Sequence, residues 1–538
     1  MIFTLHRYIL RELLKVFILA SVALTLMLSL AGILRPIQEY GVGPRQVIHL
    51  MGYFLPITLT FVLPIAALFA ASLVYGRFAG DNEIDASRAS GISILSLIYP
   101  GLALAIIVAI ANLILSFHVM PAFIHRAQKS LKADARSILF RNIRRNGYYS
   151  LPPDGRYVIY ADLADQKTDT LAGVIIVNVA DAAIEKIITA ESATVRFQPN
   201  RKFNPVQITA RNACRMEGDH FVSLGYALFD VEFGSMLDDD IKFKKLHDMK
   251  KIRDVDLTFF APIDKLARNL YSQITTEMLA QNISAKISNP SDKFYKLLTG
   301  TTYILFTADK CTVTRTQQIE LTQNVIAIEQ DALTKQNIRT MRCERALLNT
   351  RADQSDPTLT LELYNPTWKS PEGRKETAWP WLRIRGLILP KNINTAAAQF
   401  KVNNRFNAKL LASPKSLATI NKPTPQLLKL HHELKRKIAR TLAEIEAETH
   451  SRLVFGVGCI IMIMIGIALG IMFKGGHLLS AFGLSCIPAA VLMVSILTGK
   501  NIAENPGSQN VSGTAIMWLG FVMLCVLAVF LYQKLLKN

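Results

Sequence analysis

The 538-residue sequence lacks the short motifs of common catalytic sites. No Gly-x4-Gly-Lys-Ser/Thr run is present, although a nucleotide-binding loop needs that run to cradle phosphates. There is no Gly-x-Ser-x-Gly nucleophile elbow. His431-His432-Glu433 lacks the histidine spacing that a zinc protease requires. The sequence therefore indicates a protein that is not an enzyme and that carries no cofactor of its own.

Cysteine is scarce and shows no useful spacing. Three of the six cysteines lie in long apolar segments: Cys459, Cys486 and Cys525. The other three lie outside them: Cys214, Cys311 and Cys343. The outer three have no metal-ligand spacing, and three thiols can form at most one disulfide. A disulfide framework and a cysteine metal site are therefore both excluded.

Charged side chains are missing from six long segments, namely 16–34, 51–74, 90–123 (with His118 neutral), 453–473, 478–499 and 511–533. About 20 apolar residues are enough for a helix to cross the hydrocarbon core of a bilayer. The sequence therefore predicts six transmembrane helices in two groups of three. Half of all residues are hydrophobic, which fits a membrane protein with a large polar insert.

The insert, at about 124–452, holds no apolar run long enough to cross a membrane. Short β-branched runs broken by turn residues fill 148–233, and a second strand-rich region covers 303–389. The predicted fold class is therefore a membrane α-helical protein with a large inserted all-β, jellyroll-like domain of one or two β modules. Its predicted parts are 1–125 (spans one to three), 126–235 (first β module), 236–424 (an extension with a second module at 303–390) and 425–538 (a pre-span helix and spans four to six).

An ungapped overlay at an offset of 153 residues relates the two strand-rich regions. It places Ala190-Glu191-Ser192-Ala193 on Cys343-Glu344-Arg345-Ala346, and Val206, Ile208 and Ala210 on Leu359, Leu361 and Leu363. The overlay predicts a duplicated β module, and chance similarity is the alternative. Between and after the modules, the pattern predicts a helix over 254–279, a linker over 392–423 and a charged helix over 426–450 that runs into the fourth span.

A short charged segment, 75–93, separates the second and third spans. Asp81 suits a helix N-cap, Glu83 places negative charge on the first turn, and Gly91 suits a left-handed C-cap. These residues predict a helix at about 81–91, roughly two turns long, at the membrane face.

Lysine and arginine in the short loops indicate the orientation. They lie in the N-terminal tail, the 76–90 loop, the 474–477 link and the C-terminus, which six spans place on one side: Arg7, Arg11, Lys15, Arg77, Arg88, Lys474, Lys534, Lys537. Short loops rich in these residues are cytoplasmic as a rule. We therefore expect cytoplasmic termini and an insert on the outer side.

The net charge of +20 has two interpretations. A soluble protein with this charge would suggest a nucleic-acid partner, but here topology and the outer domain account for it, so none is expected. A basic outer domain beside a membrane suits an anionic ligand or lipid surface, and a merely solvated face is the alternative. Arg35 and Arg45, near the outer ends of the first two spans, are candidates for binding lipid phosphates, or they anchor the helices at the interface.

Residues 75–93, read with the order of three spans, β-rich domain and three spans, resemble the LptF/LptG (YjgP/YjgQ) permeases. The matching run is Tyr-Gly-Arg-Phe-Ala-Gly-Asp-Asn-Glu-Ile-Asp-Ala-Ser-Arg-Ala-Ser-Gly-Ile-Ser. Val119-Met120-Pro121 and the segment 466–470 are weaker matches. The resemblance covers about 1–235 and 425–538 and leaves 236–425 outside it. Members of this family are the transmembrane subunits of the lipopolysaccharide export machine of Gram-negative envelopes.

The resemblance implies an ABC-type transporter in the inner membrane, in which a second LptF/LptG-like permease pairs with this one around a lipid cavity. ATP hydrolysis belongs to a separate cytoplasmic, LptB-like ATPase dimer. The loop is then the coupling helix; Glu83 contacts the ATPase, with Arg77, Asp81 and Arg88 beside it. Arg35 is the nearest match to the family's substrate contacts, and a periplasmic jellyroll bridge protein receives the glycolipid.

A rival hypothesis is a non-transporting envelope scaffold, whose membrane part only anchors a basic β domain that binds glycans or proteins. The sequence also leaves open whether the chain takes the LptF-like or the LptG-like position. It does not specify the exact lipid, nor whether the permease pairs with itself or with a different chain.

Overall fold

The computed structural model describes residues 2–40, 44–133, 135–151, 157–180, 183–197, 204–217, 220–233, 240–289, 293–300, 302–314, 317–351, 358–369, 377–379, 381–402, 405–473, 478–504 and 512–537. The chain forms two compact units. Met1–Met249 and Ala443–Asn538 make the first unit, and Lys250–Leu442 makes the second.

The first unit begins with helices. They are α1 (Ile2–Tyr40), α2 (Pro44–Gly80), α3 (Glu83–Ala89), α4 (Ile94–Ile114), α5 (Met120–Ala133) and α6 (Ala135–Asn146). A single π-helical turn, Leu115–Val119, joins α4 to α5. Such a turn takes one residue more than an α-helical turn and often occurs at functional sites.

The first β module follows α6 as one antiparallel sheet. Its strands are β1 (Tyr148–Ser150), β2 (Tyr157–Asp165), β3 (Thr170–Ala180), β4 (Ala183–Phe197), β5 (Asn204–Glu217) and β6 (His220–Phe233), and they pair in chain order. The strands predicted at 157–160, 174–177, 193–197 and 206–209 are confirmed. One face of the sheet, with Ile159, Ile176 and Ile188, packs against Ile138 and Phe140 of α6.

The second unit opens with α7 (Leu246–Asp254), which crosses from the first unit, and a 3₁₀ turn, Leu257–Phe259. Helix α8 (Ala261–Ile287) comes next, so the helix predicted over 254–279 begins later, where Pro262 occupies its first turn. The strands that follow are β7 (Tyr295–Thr299), β8 (Thr302–Thr307), β9 (Lys310–Val313), β10 (Gln318–Asp331), β11 (Asn337–Arg351), β12 (Thr358–Tyr364), β13 (Thr367–Lys369), β14 (Thr377–Ala378) and β15 (Trp381–Ile388).

The linker predicted over 392–423 is wrong. This part of the chain folds into α9 (Lys391–Ala398), a small hairpin of β16 (Lys401–Val402) and β17 (Arg405–Phe406), α10 (Ala408–Leu411) and α11 (Pro414–Ala418). Ile393, Phe400 and Leu411 are buried. Because these apolar anchors are widely spaced among polar residues, the sequence shows no clear helical or strand period.

The remaining helices are α12 (Pro425–Met472), α13 (Leu478–Glu504) and α14 (Gly513–Lys537). Six described segments are long and apolar enough to cross a membrane: Phe3–Ala31, Met51–Gly80, Ile94–Ser130, Pro425–Met472, Cys486–Glu504 and Gly513–Lys537. They confirm the six predicted spans, grouped three and three around a β-rich insert.

The two β modules share the strand register that the overlay predicts. In the first sheet Ala193 pairs with Ala210 and Val195 with Ile208; in the second, Ala346 pairs with Leu363 and Leu348 with Leu361, each residue shifted by the same offset. Asn212 and Asn365 also correspond, and both have a left-handed φ of 49°. A shared register with a shared backbone irregularity supports duplication over chance similarity.

The modules differ in closure. In the second sheet β15 pairs with β7 at Leu387 and Thr299, so that β7, β8, β10, β11, β12 and β15 form a closed ring. In the first sheet, among the described strands, β1 pairs only with β2 and β6 only with β5. The first module is therefore an open sheet, and the second is closed.

Two glycines let α12 pack closely against α2. A Cβ atom on Gly470 would lie 2.8 Å from the carbonyl oxygen of Ser72, and one on Gly466 would lie 3.2 Å from that of Leu68. The small-residue pattern at 466–470 is thus used for packing within the chain.

We expect Gly470→Leu to destabilise the protein, because the new side chain meets the backbone of α2 and overpacking typically costs about 1–3 kcal/mol. Thermal unfolding of the purified protein in detergent measures the effect. Gly483→Leu is the matched control, because an added Cβ on this α13 glycine meets nothing within 4 Å. Equal losses in melting temperature in the two variants would contradict the packing assignment.

All six cysteines are free thiols. Burial raises the pKa of Cys311 to about 11 and that of Cys343 to about 12. A raised pKa keeps a thiol neutral below that pKa, and only the thiolate is strongly nucleophilic.

We therefore expect both thiols in the folded protein to react slowly with iodoacetamide at pH 8 and to react readily after denaturation. Mass spectrometry of digested samples locates the modified cysteines. Labelling of Cys343 in the native protein as fast as in the denatured protein would show that this strand is not buried.

Candidate functional site

Helix α3 begins after a two-residue break. The amide of Asp81 still donates to the carbonyl of Arg77 (2.8 Å), as part of the last turn of α2. Asn82, with φ 56°, is the N-cap residue and makes no side-chain cap bond. The N-cap predicted at Asp81 is therefore wrong, because α2 runs past the apolar segment to Gly80. Asparagine tolerates the left-handed conformation that this break requires.

The end of α3 matches the prediction for Gly91. This residue has φ 84°, its amide donates to the carbonyl of Arg88 (2.9 Å), and the amide of Ile92 donates to that of Ser87 (3.1 Å). These two bonds form a Schellman motif. Ser93 then caps α4, so that α3 connects to the third span through a fixed turn.

Helix α3 has one buried face and one exposed face. Ile84 is buried in a cluster that includes Phe78 and Leu97 from the neighbouring spans. Asp81, Glu83 and Arg88 are exposed. Since a seven-residue helix is too short to be stable alone, these contacts and the closing turn hold the exposed face in place.

Arg77 points toward α1 as well as toward solvent. Its Nη2 lies 3.2 Å from Oε2 of Glu12, whose other oxygen lies 2.7 Å from Nζ of Lys15. The guanidinium also lies 5.4 Å from the ring centroid of Phe78. The structure thus places Glu83 and Arg88 on the exposed surface of α3, Asp81 in the break before it, and Arg77 in an ion pair with α1.

The two predicted substrate-binding residues lie at the other end of the spans. Arg35 is near the end of α1 and Arg45 near the start of α2. Their helices bring both backbones to the α1–α2 connection, away from α3. Their side chains lie outside the described residues.

A buried ion cluster at the start of the fourth span was missed by the sequence reasoning. Nε of Arg452 lies 2.8 Å from Oε1 of Glu448, and Lys500 of α13 bonds the other carboxylate oxygen. The Glu448 and Arg452 side chains are only 8% and 3% exposed. The available signal was a Glu-x3-Arg pair directly before an apolar run, together with a single lysine at the end of the fifth span.

The same arginine holds the chain that follows the first β module. Its guanidinium donates to the carbonyls of Lys242 (2.7 Å) and Lys244 (3.3 Å), and it lies 5.5 Å from the ring of Phe117 in the π-helical turn. Phe243, between the two lysines, lines an apolar hollow with Tyr53, Phe54, Ile57, Ile124 and Ala127. Arg452 therefore joins the third, fourth and fifth spans to the insert.

Several apolar side chains of the first sheet are exposed. Tyr160 and Ile175 pair across β2 and β3 and are 42% and 41% exposed. Leu163, Tyr226 and Leu228 are each more than 60% exposed. Exposed apolar groups in such number on one sheet indicate a surface for an apolar ligand or partner.

A family model described as "Lipopolysaccharide export system permease LptF/LptG" matches residues 7–248 and 264–534. The chain belongs to the LptF/LptG family. Each matched segment contains three spans and one β module, so the second module lies inside the match. The expectation that 236–425 falls outside the family is therefore wrong. No curated protein was found to match the chain.

Family membership identifies the chain as a membrane-embedded permease of lipopolysaccharide export, and as a transporter subunit instead of an enzyme. The family also implies the inner membrane as its location. The six apolar helices provide the membrane part, and the two β modules provide the insert.

We expect Glu448→Ala to destabilise the protein by about 3–5 kcal/mol, because it leaves Arg452 buried without its carboxylate partner. Chemical unfolding in detergent, followed by circular dichroism, measures the loss. Asp264→Ala is the matched control: it breaks the i,i+4 pair with Arg268, whose side chains are 22% and 43% exposed, and should cost about 0–1 kcal/mol. Similar losses would show that the cluster is not a stabilising centre.

Proposed function

We propose that this permease extracts lipopolysaccharide or a related envelope glycolipid from the inner membrane, driven by ATP hydrolysis on a partner, and passes it outward. One observation carries the proposal: a single compact unit holds both an exposed, acidic helix between spans two and three and an open sheet with an exposed apolar face. The exposed acidic helix suits contact with a partner that hydrolyses ATP, and the exposed apolar side chains of the open sheet suit contact with a lipid. The N- and C-termini are cytoplasmic, and the insert is periplasmic.

Helix α3 is the proposed contact with a cytoplasmic, LptB-like ATPase dimer. Glu83 and Asp81 present carboxylates at the start of a helix, where they meet basic groups on the partner. Arg88 lies one helical turn further on, and Arg77 links the site to α1 through Glu12. Because the Schellman turn ties α3 to α4, a displacement of α3 moves the third span with it.

The glycolipid has two proposed contacts in the first unit. Arg35 and Arg45 bind its phosphates at the outer ends of the first two spans, where guanidinium groups form bidentate bonds. The exposed face with Tyr160, Ile175 and Leu228 then receives the acyl chains. Each methylene buried there contributes about 0.8 kcal/mol, which offsets the loss of the bilayer environment.

Two further partners, a second permease and a periplasmic bridge protein, are proposed from exposed apolar spans and from an open strand edge. The spans of α1, α13 and α14 are mostly exposed, whereas that of α12 is mostly buried. Apolar surface on α1, α13 and α14 suits lipid and a second LptF/LptG-like permease. Strand β6 has β5 as its described neighbour and offers an open edge, to which a strand of a periplasmic jellyroll bridge protein can add.

Charge reversal at Glu83 tests the coupling. We expect Glu83→Arg to abolish co-purification with the ATPase and to stop glycolipid export in a reconstituted system, because it places two basic groups against each other. The control is Glu446→Arg, which reverses an exposed charge on α12 and should preserve both activities.

Restoration of binding by an acidic substitution in the basic groove of the ATPase would identify the direct contact. Intact association and full export by Glu83→Arg would refute the coupling role. If the wild-type protein neither exports glycolipid nor binds an ATPase, the scaffold hypothesis replaces the transport proposal.

A further inference from the structure

The interior of the second β module is filled. Ile304, Phe306, Leu321, Leu348 and Leu361 are fully buried inside the closed ring of strands. A core packed in this way resembles a protein interior and has no room for an acyl chain. A ligand of this module must therefore bind on its outer surface.

The second unit, which contains this module, is strongly basic. Residues 250–442 contain 31 Lys and Arg against 16 Asp and Glu, so that this segment carries +15 of the chain's net +20. A field of this sign attracts polyanions and raises their local concentration. Charge alone does not define a binding site, however, because evenly distributed lysines only keep a surface soluble.

Part of this charge is organised over aromatic rings. Nζ of Lys251 lies 4.2 Å from the centroid of Phe259, and Cζ of Arg405 lies 4.3 Å from the same centroid. Next to Arg405 in the β17 strand, the ring of Phe406 has Lys401 at 5.2 Å and Arg268 at 5.7 Å. These six residues, Lys251, Phe259, Arg268, Lys401, Arg405 and Phe406, are called the basic–aromatic surface below.

Carboxylates are interspersed with these cations. Asp256 lies 3.9 Å from Nη1 of Arg405, and Asp264 lies 2.9 Å from Nη2 of Arg268. Rings and carboxylates together restrain the cationic side chains, so less entropy is lost when a ligand binds. Lys251, Arg268 and Arg405 are nevertheless exposed, and their charged groups are accessible.

This combination favours a phosphorylated sugar over a plain anionic membrane. Guanidinium and ammonium groups bind phosphate, and carboxylates accept hydrogen bonds from sugar hydroxyls. Anionic membranes are typically bound by clusters of Lys and Arg, whereas here Asp256 and Asp264 lie among the cations. The mixed and restrained side chains match a compact ligand that has both phosphates and hydroxyls.

We infer that the basic–aromatic surface of the second unit, formed by α7, the 3₁₀ turn, α8 and the β16–β17 hairpin, binds the phosphate-bearing saccharide headgroup of the exported glycolipid. The inference rests on the proposed function for the nature of the cargo. This surface then selects cargo by its phosphates.

The test uses the full chain in phosphatidylcholine nanodiscs and isothermal titration calorimetry. The probe is a deacylated, bisphosphorylated glucosamine disaccharide, compared with the same disaccharide after phosphatase treatment and with inorganic phosphate. We expect Lys251→Glu and Arg405→Glu each to weaken binding of the phosphorylated probe at least ten-fold, and Arg405→Lys to weaken it less. Lys335→Glu changes an exposed lysine in the β10–β11 turn of the same unit and should leave binding unchanged.

Four results would overturn the inference: equal affinity for the phosphatase-treated probe, inorganic phosphate binding as tightly as the phosphorylated disaccharide, an equal loss in Lys335→Glu, or unchanged binding in Lys251→Glu and Arg405→Glu. Binding that appears only when the nanodiscs contain phosphatidylglycerol would assign the surface to the membrane instead. The transport proposal is separable: Glu83→Arg should lose export but keep full affinity for the probe.

Discussion

The buried contacts of Arg452 determine how the membrane part and the first β module fit together. Its guanidinium forms an ion pair with Glu448, donates hydrogen bonds to two backbone carbonyls of the segment after the sheet, and lies against the ring of Phe117. A buried arginine is tolerated only when nearly all of its donors are used. The ends of three spans and the start of the 240–245 segment must therefore keep this geometry together, and they form one compact unit with the first sheet.

Features with local causes could be predicted from the sequence. The spans follow from missing charge, the strands from β-branched runs, and the turn at Gly91 from the need for a positive φ. The sequence predicts the N-cap of α3 at Asp81 instead of Asn82, because it does not show that α2 extends beyond its apolar run. The ion cluster was missed altogether, since Arg452 meets carbonyls more than 200 residues away in the chain.

The two β modules have the same strand register but differ in whether the sheet closes. Both keep the same pairing of the central strands and the same left-handed asparagine. In the second module, β15 pairs with β7 and closes the ring of strands, and large apolar side chains fill the interior of that ring. The first module lacks such a contact among its described strands and shows apolar side chains to solvent. The two modules thus share a strand register and differ in closure and in the exposure of their apolar side chains.

The π-helical turn at Leu115–Val119 sets the rotational phase of everything that follows it in the third span. One extra residue in a helix turns the downstream side chains by about 100° relative to an uninterrupted α-helix. Helix α5 continues directly from this turn and packs against α2. The extra residue therefore decides which side of α5 faces α2, and with it which side chains of the third span, Ile124 and Ala127, line the hollow that also holds Phe243.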